Sequence, residues 1–215
     1  MAKFTNKGLI VRKIGMTRAV DAAGEMIPIT LLKVEDQTVT KILELQRDGY
    51  HGYQVGFVQK AEKNLTKPDV YRLRKVKVDE NYSRFKEFRC AQAVSGLELG
   101  AKVTAELLQA VTTLDVTGIT KGRGFQGSVK RWNSAIGPKG HGSRFHRRPG
   151  SLGQNSSPAR VYKNKHQPGH LGVENVTIKN IQVFDIDVAQ NVIAVKGSVP
   201  GHREGFLAIR PSHEN

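Results

Sequence analysis

Basic and aromatic side chains alternate with glycines in the second half of the sequence, in an arrangement suited to binding phosphate. Basic side chains pair with phosphate, and aromatic rings stack on unpaired bases. The eleven basic residues between positions 116 and 173 are Lys121, Arg123, Lys130, Arg131, Lys139, Arg144, Arg147, Arg148, Arg160, Lys163 and Lys165. The four aromatic residues between them are Phe125, Trp132, Phe145 and Tyr162. This combination indicates contact with nucleic acid.

The same stretch contains no carboxylate. The nearest acids are Asp115 and Glu174, so residues 116–173 carry a net charge of +11, whereas the other 157 residues hold 23 basic and 19 acidic side chains, a net of +4. An ordinary solvated surface mixes both signs of charge. We therefore interpret the stretch as a surface for a polyanion.

Residues 116–173 also hold 11 of the 22 glycines and few apolar side chains. A segment of this composition cannot build a core of its own. A loop this long is unusual in a compact domain unless it is functional or becomes ordered on a partner. Folded RNA, whose interior crevices are lined by phosphate, suits such a segment better than a DNA groove does.

Residues 122–127 spell G-x-G-x-x-G, the pattern of many dinucleotide sites. A Rossmann site needs a βαβ unit and an acid about 20 residues further on. No acid occurs before Glu174. The motif therefore favours a backbone turn close to phosphate, with a plain loop as the other interpretation.

Four histidines, His141, His146, His166 and His170, could suggest a metal site. Zinc prefers thiolates, carboxylates or two histidines on one helical turn, but Pro168 and Gly169 interrupt the H-x3-H pair and the single cysteine is distant in sequence. We predict no metal and no cofactor. Histidines among arginines and glycines donate to phosphate or stack on a base, and we expect this of His141, His146 and His170.

Catalysis is hard to build from these residues. Ser143 with His146, or Ser156 and Ser157, offers a nucleophile and a base, but no carboxylate is near in sequence to orient the base. We therefore predict that the protein is not an enzyme. An RNA-modifying enzyme with a basic channel and a general DNA-compacting protein are the alternatives that this reasoning leaves open.

The flanking residues predict a mainly β fold with antiparallel strands. We expect a body formed by residues 1–119 and 174–215, with the basic extension of residues 120–173 inserted between strands. The predicted strands are 26–34, 38–46, 53–58, 114–120, 176–187, 191–199 and 205–210. Three helices are predicted. The first begins at Lys67, with Thr66 as its N-cap, and the other two cover residues 104–110 and 125–131.

Cys90 is the only cysteine, so no internal disulfide can form, and a reducing compartment is the simpler interpretation. We expect its side chain to be a small buried hydrophobe. Lysines and arginines interrupt the first 18 residues, and the chain has no run of 18 apolar residues. The sequence predicts a soluble cytoplasmic protein with no membrane partner.

Several motifs follow one another along the chain in an order that has a known counterpart. They are KIGMT (13–17), KGRGFQG (121–127), VKRW (129–132), HGS (141–143), HR (146–147), PGSLG (149–153), PGHLG (168–172) and VKGSVPG (195–201). This series closely resembles the bacterial third large-subunit ribosomal protein family. The resemblance extends over nearly the whole chain.

The resemblance implies a β-barrel body at the surface of the large ribosomal subunit. It implies binding to 23S ribosomal RNA near its 3′ end, early in subunit assembly, beside neighbouring large-subunit proteins. The extension is then expected to reach towards the peptidyl-transferase centre, where RNA performs the chemistry, with its tip around residues 152–158. The alternative is a non-ribosomal RNA-binding or RNA-modifying protein.

Gln154 matches the glutamine that some bacterial members of the family carry N5-methylated. We expect that modification here, with a glutamine methyltransferase as a transient partner. Asn164, His166 and Gln167 stand where many members have Gly, Lys and Met. These departures leave the local contacts of the returning arm of the extension open.

Overall fold

The structure, a computed structural model, describes residues 7–212 apart from 22, 77, 79, 94 and 95. The outermost residues of the predicted body, 1–6 and 213–215, therefore lie outside the described residues. The chain divides into two compact units, Met1–Ile119 with Asn175–Asn215, and Thr120–Glu174. We call the first unit the body and the second the extension.

The described residues form eleven strands and a few short helices. The strands are β1 (Leu9–Val20), β2 (Met26–Val34), β3 (Gln37–Leu43), β4 (Gly52–Gln59), β5 (Tyr82–Arg89), β6 (Thr113–Ile119), β7 (Gly124–Gln126), β8 (Gly169–Leu171), β9 (Asn175–Asp187), β10 (Val192–Lys196) and β11 (Phe206–Pro211). The α-helices are α1 (Leu45–Asp48), α2 (Lys67–Lys75) and α3 (Ser128–Trp132), and 3-10 turns occur at Glu62–Asn64 and Ala105–Leu108. None of these helices has both the length and the apolar character needed to span a bilayer.

Six strands of the body close into a ring in the order β1-β11-β6-β9-β10-β2. Each neighbouring pair is antiparallel, and β2 returns to pair with β1. The predicted mainly β, antiparallel barrel is therefore confirmed. Closure leaves the ring without an open edge, so its backbone hydrogen bonds are satisfied internally.

The barrel interior is filled by alternate residues of its strands. Leu207 and Ile209 of β11 are buried, as are Leu114 and Val116 of β6, because successive side chains of a strand point to opposite faces. Gly118 continues the inward series on β6, and a Cβ there would meet the end of the Leu207 side chain. A larger residue at that position would therefore require Leu207 to repack.

The pairing of β6 with β9 determines where the extension begins and ends. Their register runs to Ile119 opposite Asn175, the last body residues on either side of the insertion. Cα atoms of paired residues lie about 4.5–5.5 Å apart. The barrel thus holds the two chain ends of the extension next to each other without any contribution from a partner.

A second sheet, in the order β3-β4-β5, completes the body. Its side chains share the hydrophobic core of the barrel, and Gln37, which is 2% exposed, adds a polar contact with β1. The Gln37 side-chain amide accepts from the backbone N–H of Ile10 at 2.9 Å and donates to the Ile10 carbonyl at 3.0 Å. The amide thereby supplies partners to the β1 backbone just beyond its pairing with β2, where the Glu35 N–H also donates to the Ile10 carbonyl at 3.3 Å.

Local structure departs from the predictions at several places, of which the following three concern predicted elements. The predicted strand 38–46 ends at Leu43, and α1 follows because Gly49 supplies a left-handed cap at φ +80°. The predicted helix 125–131 was wrong at its start, since residues 124–126 pair as β7 with β8. Thr66 does precede α2, but its hydroxyl donates to the Asp69 carboxylate instead of capping the backbone.

We predict that Gln37→Leu destabilises the body by about 1–3 kcal/mol, because the buried Ile10 N–H loses its partner and the Ile10 carbonyl keeps only the Glu35 N–H. Urea unfolding followed by circular dichroism measures the change. Gln46→Leu, at an exposed glutamine of α1, is the matched control and should change the free energy of unfolding by less than about 0.5 kcal/mol. Equal stability of the two variants would show that the Gln37 amide is not needed.

Candidate nucleic-acid interface

The extension is closed at its base by hydrogen bonds between its first and last residues. The Thr120 N–H donates to the Glu174 carbonyl at 2.9 Å, and the Val173 N–H donates to the Thr120 carbonyl at 3.2 Å. The Glu174 N–H donates to Thr120 Oγ1 at 3.2 Å. The outgoing and returning arms of the extension therefore start as a paired ribbon.

Strands β7 and β8 continue this ribbon. Gly124 pairs with Leu171, Phe125 with His170 and Gln126 with Gly169. Gly172, at φ +82°, is needed beside this hairpin because a Cβ there would meet the Lys121 carbonyl oxygen at 2.2 Å. Gly172 of the P-G-H-L-G motif thus allows the two backbones to approach closely.

A cluster of four residues joins the arms beyond the hairpin, and we call it the clasp: Arg131, Trp132, His166 and Gln167. Arg131 Nη1 and Trp132 Nε1 both donate to the Gln167 carbonyl, at 3.0 and 2.9 Å. The Trp132 and His166 rings are stacked, with centroids 4.5 Å apart and planes 8° apart. The Arg131 guanidinium lies 5.0 Å from the indole centroid. These polar and ring contacts hold the two arms together, as the hydrophobic core holds the strands of the body together.

Beyond the clasp the chain turns without further strands or helices, through residues 133–165. The Gly137 N–H donates to the His146 carbonyl at 2.8 Å and closes a loop. His141 and His146 adopt positive φ values of 56° and 47° in this loop. The loop is therefore shaped by local backbone bonds.

The extension has almost no buried residues. In the fully described segment 120–174, only Ser128 and Gly172 are buried. Ten of its eleven basic side chains are exposed, Arg131 being half-buried. All four ion pairs found among the described residues lie in the body. The cations of the extension thus face solvent with no carboxylate to neutralise them.

The predicted binding residues are distributed along both arms. Lys121, Arg123 and His170 lie at or beside the hairpin, Lys130, Arg131 and Trp132 in α3, Lys139, His141, Arg144, His146, Arg147 and Arg148 in the loop, and Arg160, Lys163 and Lys165 on the returning arm. Arg131 and Trp132 are used within the clasp. Contact of these residues with RNA stays a prediction, as does the role of Gln154, which is exposed.

Sequence reasoning did not find the contacts of the returning arm. His166 and Gln167, noted only as departures from the usual family residues, complete the clasp with α3. The Gln167 contact uses a backbone carbonyl, which no residue type reveals. The stacking partner of Trp132 could have been sought among the four histidines, but sequence spacing does not select one of them.

A profile of the family described as Ribosomal protein L3 matches residues 91–191. Curated relatives match more of the chain. "Large ribosomal subunit protein uL3" of Alkaliphilus metalliredigens is 42% identical over 95% of this chain and 96% of its own length. Proteins of the same name from Bacillus cytotoxicus (41%) and Fervidobacterium nodosum (43%) each cover 95% of this chain, with 96% and 97% of their own lengths matched. The chain belongs to the uL3 family. The resemblance drawn from the motifs is thereby confirmed.

In this uL3 family member the G-x-G-x-x-G motif does not form a dinucleotide fold. The strand within it, β7, pairs antiparallel with β8, whereas a Rossmann unit needs a parallel neighbour reached through a helix. The helix that follows, α3, has only five residues. The motif is a hairpin strand in a basic segment.

The histidines of the extension are not gathered at one place. Among the described residues, no three His, Cys, Asp or Glu side chains lie close enough together to hold a metal ion. His166 stacks in the clasp, and His170 lies in β8 opposite Phe125. The observed neighbour of His166 is thus an aromatic ring, and that of His170 is the paired strand β7.

Polar clusters of the body have structural partners. Glu80 accepts from the hydroxyls of Tyr82 and Thr38, at 2.5 and 2.9 Å, and pairs with Lys102 at 2.9 Å. The Tyr82 hydroxyl and Lys102 together hold the pKa of Glu80 below its usual value. Burial, followed by the Glu80 hydrogen bond, raises the pKa of Tyr82 to about 12. These groups keep fixed protonation states near neutral pH, as a structural network does.

Cys90 packs against the body core, and burial raises the pKa of its thiol. Because the thiolate is the reactive form, a raised pKa makes the side chain less reactive. The side chain is only half-buried, so the prediction of a small buried hydrophobe is correct for the packing of Cys90 but wrong for its burial.

We predict that trypsin cleaves the free chain first between residues 139 and 163. The basic side chains there are exposed, and the contacts of the clasp do not include any residue of this range. Trp132→Leu removes the ring stack and one hydrogen bond, together about 1 kcal/mol. Cleavage at Lys130 and Lys165 should become about fivefold faster, since cutting follows the population of the open state. Phe125→Leu, at an exposed ring outside the clasp, is the control. Unchanged cleavage in Trp132→Leu would show that the clasp does not hold the arms.

Proposed function

We propose that this chain is a structural constituent of the large ribosomal subunit, acting in the cytoplasm and not as an enzyme. The curated relatives carry the printed name of a large ribosomal subunit protein, and they match nearly the full length of the chain. The chain binds 23S ribosomal RNA through the extension and packs beside neighbouring ribosomal proteins through the body.

One observation carries this proposal: the extension presents ten exposed cations with no ion pair and almost no buried residue. Such a surface binds RNA by releasing counterions condensed on the phosphates. Exposed rings among the cations add stacking, with Phe125 76%, Phe145 43% and Tyr162 49% exposed. Cations and rings together match single-stranded or irregular RNA better than a uniform duplex.

The proposal extends to where and when the chain binds. Contact near the 3′ end of 23S ribosomal RNA, entry early in assembly and reach of the extension towards the peptidyl-transferase centre follow from the family resemblance. Length supports the reach, because an arm of about 27 residues spans at most ~90 Å when fully extended. The closed barrel supports early entry, since a body with its own core can fold before the RNA around it is complete.

We predict that the triple variant Arg144→Ala, Arg147→Ala, Arg148→Ala binds 23S ribosomal RNA with a shallower salt dependence. Each lost phosphate contact lowers the slope of log K against log salt by about 0.7–0.9, so the slope should fall by about 2–3. Filter binding over a series of salt concentrations measures it.

The matched control removes the same charge from the body, with Lys60→Ala, Lys63→Ala and Lys67→Ala, all at exposed positions. Its slope should change by less than about 1. Equal slopes for the two triple variants would contradict an interface centred on the extension. Binding of random duplex DNA as tightly as ribosomal RNA would favour a DNA-compacting protein.

We further propose that Gln154 is N5-methylated by a glutamine methyltransferase acting on the free chain. Gln154 is exposed in a part of the extension without strand or helix, so an enzyme can reach its amide. Gln126 differs, because its side-chain amide donates to the Arg123 carbonyl at 2.5 Å. An amide held in this way is a poorer substrate for transfer of a methyl group to nitrogen.

Mass spectrometry of the protein from native ribosomes should find one added methyl group on the peptide containing Gln154 and none on Gln126. Gln154→Glu should lack the added mass, because a carboxylate offers no amide nitrogen. An unmodified Gln154 in native ribosomes would refute this part of the proposal.

A further inference from the structure

The extension contains a cleft of about 470 Å³ that neither its charge nor the family match explains. Its walls come from Ser128 and residues 134–135 of the outgoing arm, from the loop containing Phe145 and Leu152, and from residues 164–166 of the returning arm. All of these residues belong to the extension. The volume falls within the range of about 300–1,000 Å³ that is typical of small-ligand sites.

Two rings line the cleft, and each is held by a neighbour while part of its surface stays open. Phe145 is 43% exposed and packs closely on the backbone of Gly137, where a Cβ would lie 2.5 Å from the ring. His166 stacks on Trp132 in the clasp and remains exposed. Rings fixed before binding lose little conformational entropy when a ligand stacks on them.

Polar and charged groups complete the lining. Arg148 and Lys165 are exposed cations at the cleft, and Asn164 adds a side-chain amide with both donor and acceptor groups. The cations suit a phosphate, the rings suit a flat aromatic ligand, and the amide suits the polar edge of a base. One ligand class combines all three features, namely a nucleotide.

We propose that the cleft binds one unpaired nucleotide of ribosomal RNA, with its base stacked on Phe145, with His166 as the second ring of the cleft, and with its phosphate on Arg148 and Lys165. This inference rests on the proposed RNA-binding function and deepens it. An acidic peptide would use the cations but not the rings, and an apolar peptide would gain nothing from the cations. A duplex presents no free base to the cleft, so the nucleotide must be unstacked from its neighbours.

Ultraviolet cross-linking of the full chain to 23S ribosomal RNA transcribed without modifications tests this site. We expect a peptide containing Phe145 or His166 to be joined to one nucleotide that is unpaired in the RNA. Phe145→Leu should lower the cross-link yield at least tenfold and weaken binding about 5- to 100-fold, the range that loss of one base–aromatic stack gives.

Three further variants separate stacking from folding. Phe145→Tyr keeps the ring and should retain the cross-link. Arg148→Gln leaves both rings in place and should lower the yield by weakening the hold on the phosphate. Tyr71→Leu, at an exposed ring of the body far from the extension in sequence, should leave the cross-link unchanged.

The proposal is overturned if a saturated complex shows no cross-link to either ring, or if Phe145→Leu cross-links as well as the unaltered chain. If the unaltered chain binds the RNA with a steep salt dependence in that experiment, only the cleft assignment fails. If it does not bind at all, the RNA-binding function fails and the cleft assignment fails with it.

Discussion

Repulsion among eleven like charges, with no carboxylate among them to offset it, is the constraint on which the form of the extension depends. A segment of this charge cannot collapse on itself, and residues 120–174 accordingly bury only Ser128 and Gly172. Its shape is maintained by backbone pairing at the base, by the β7–β8 hairpin and by the clasp. In the proposed function, the phosphates of RNA supply the missing negative charge.

The body is built so that it does not share this dependence. Its six-stranded ring closes on itself, and the Gln37 amide joins the second sheet to β1 through buried hydrogen bonds. Pairing of β6 with β9 sets both ends of the extension side by side. A body with its own core therefore anchors a segment that has none, which is the division of labour expected of a protein that inserts one arm into folded RNA.

Sequence patterns predicted this organisation where residues close together in the sequence determine it. The run 26–34 became β2 unchanged, and the acid-free composition marked the extension. Other elements depend on distant partners. In β1, Arg12 and Lys13 interrupt the apolar pattern, but Arg12 pairs with Glu35 at 2.6 Å and Lys13 Nζ donates to the Val199 carbonyl at 2.9 Å. Neither contact is visible in the local sequence, so the strand was not predicted.

Strand β5 was missed for a different reason. Its apolar residues Tyr82, Phe85 and Phe88 recur every third position, a spacing that is typical of a helix and not of a strand. In the extension, Phe125 pairs across 45 positions with His170, and the clasp uses a backbone carbonyl. Long-range pairing of this kind leaves no periodic signal in either partner.

Hydrogen exchange of the full chain, with and without 23S ribosomal RNA, tests the central claim most directly. Amides of residues 133–165 should exchange rapidly in the free chain and slow markedly in the complex, while amides of β6 and β9 stay protected in both. If residues 133–165 were protected equally in the free chain and in the complex, their order would not depend on RNA, and the central claim would be contradicted.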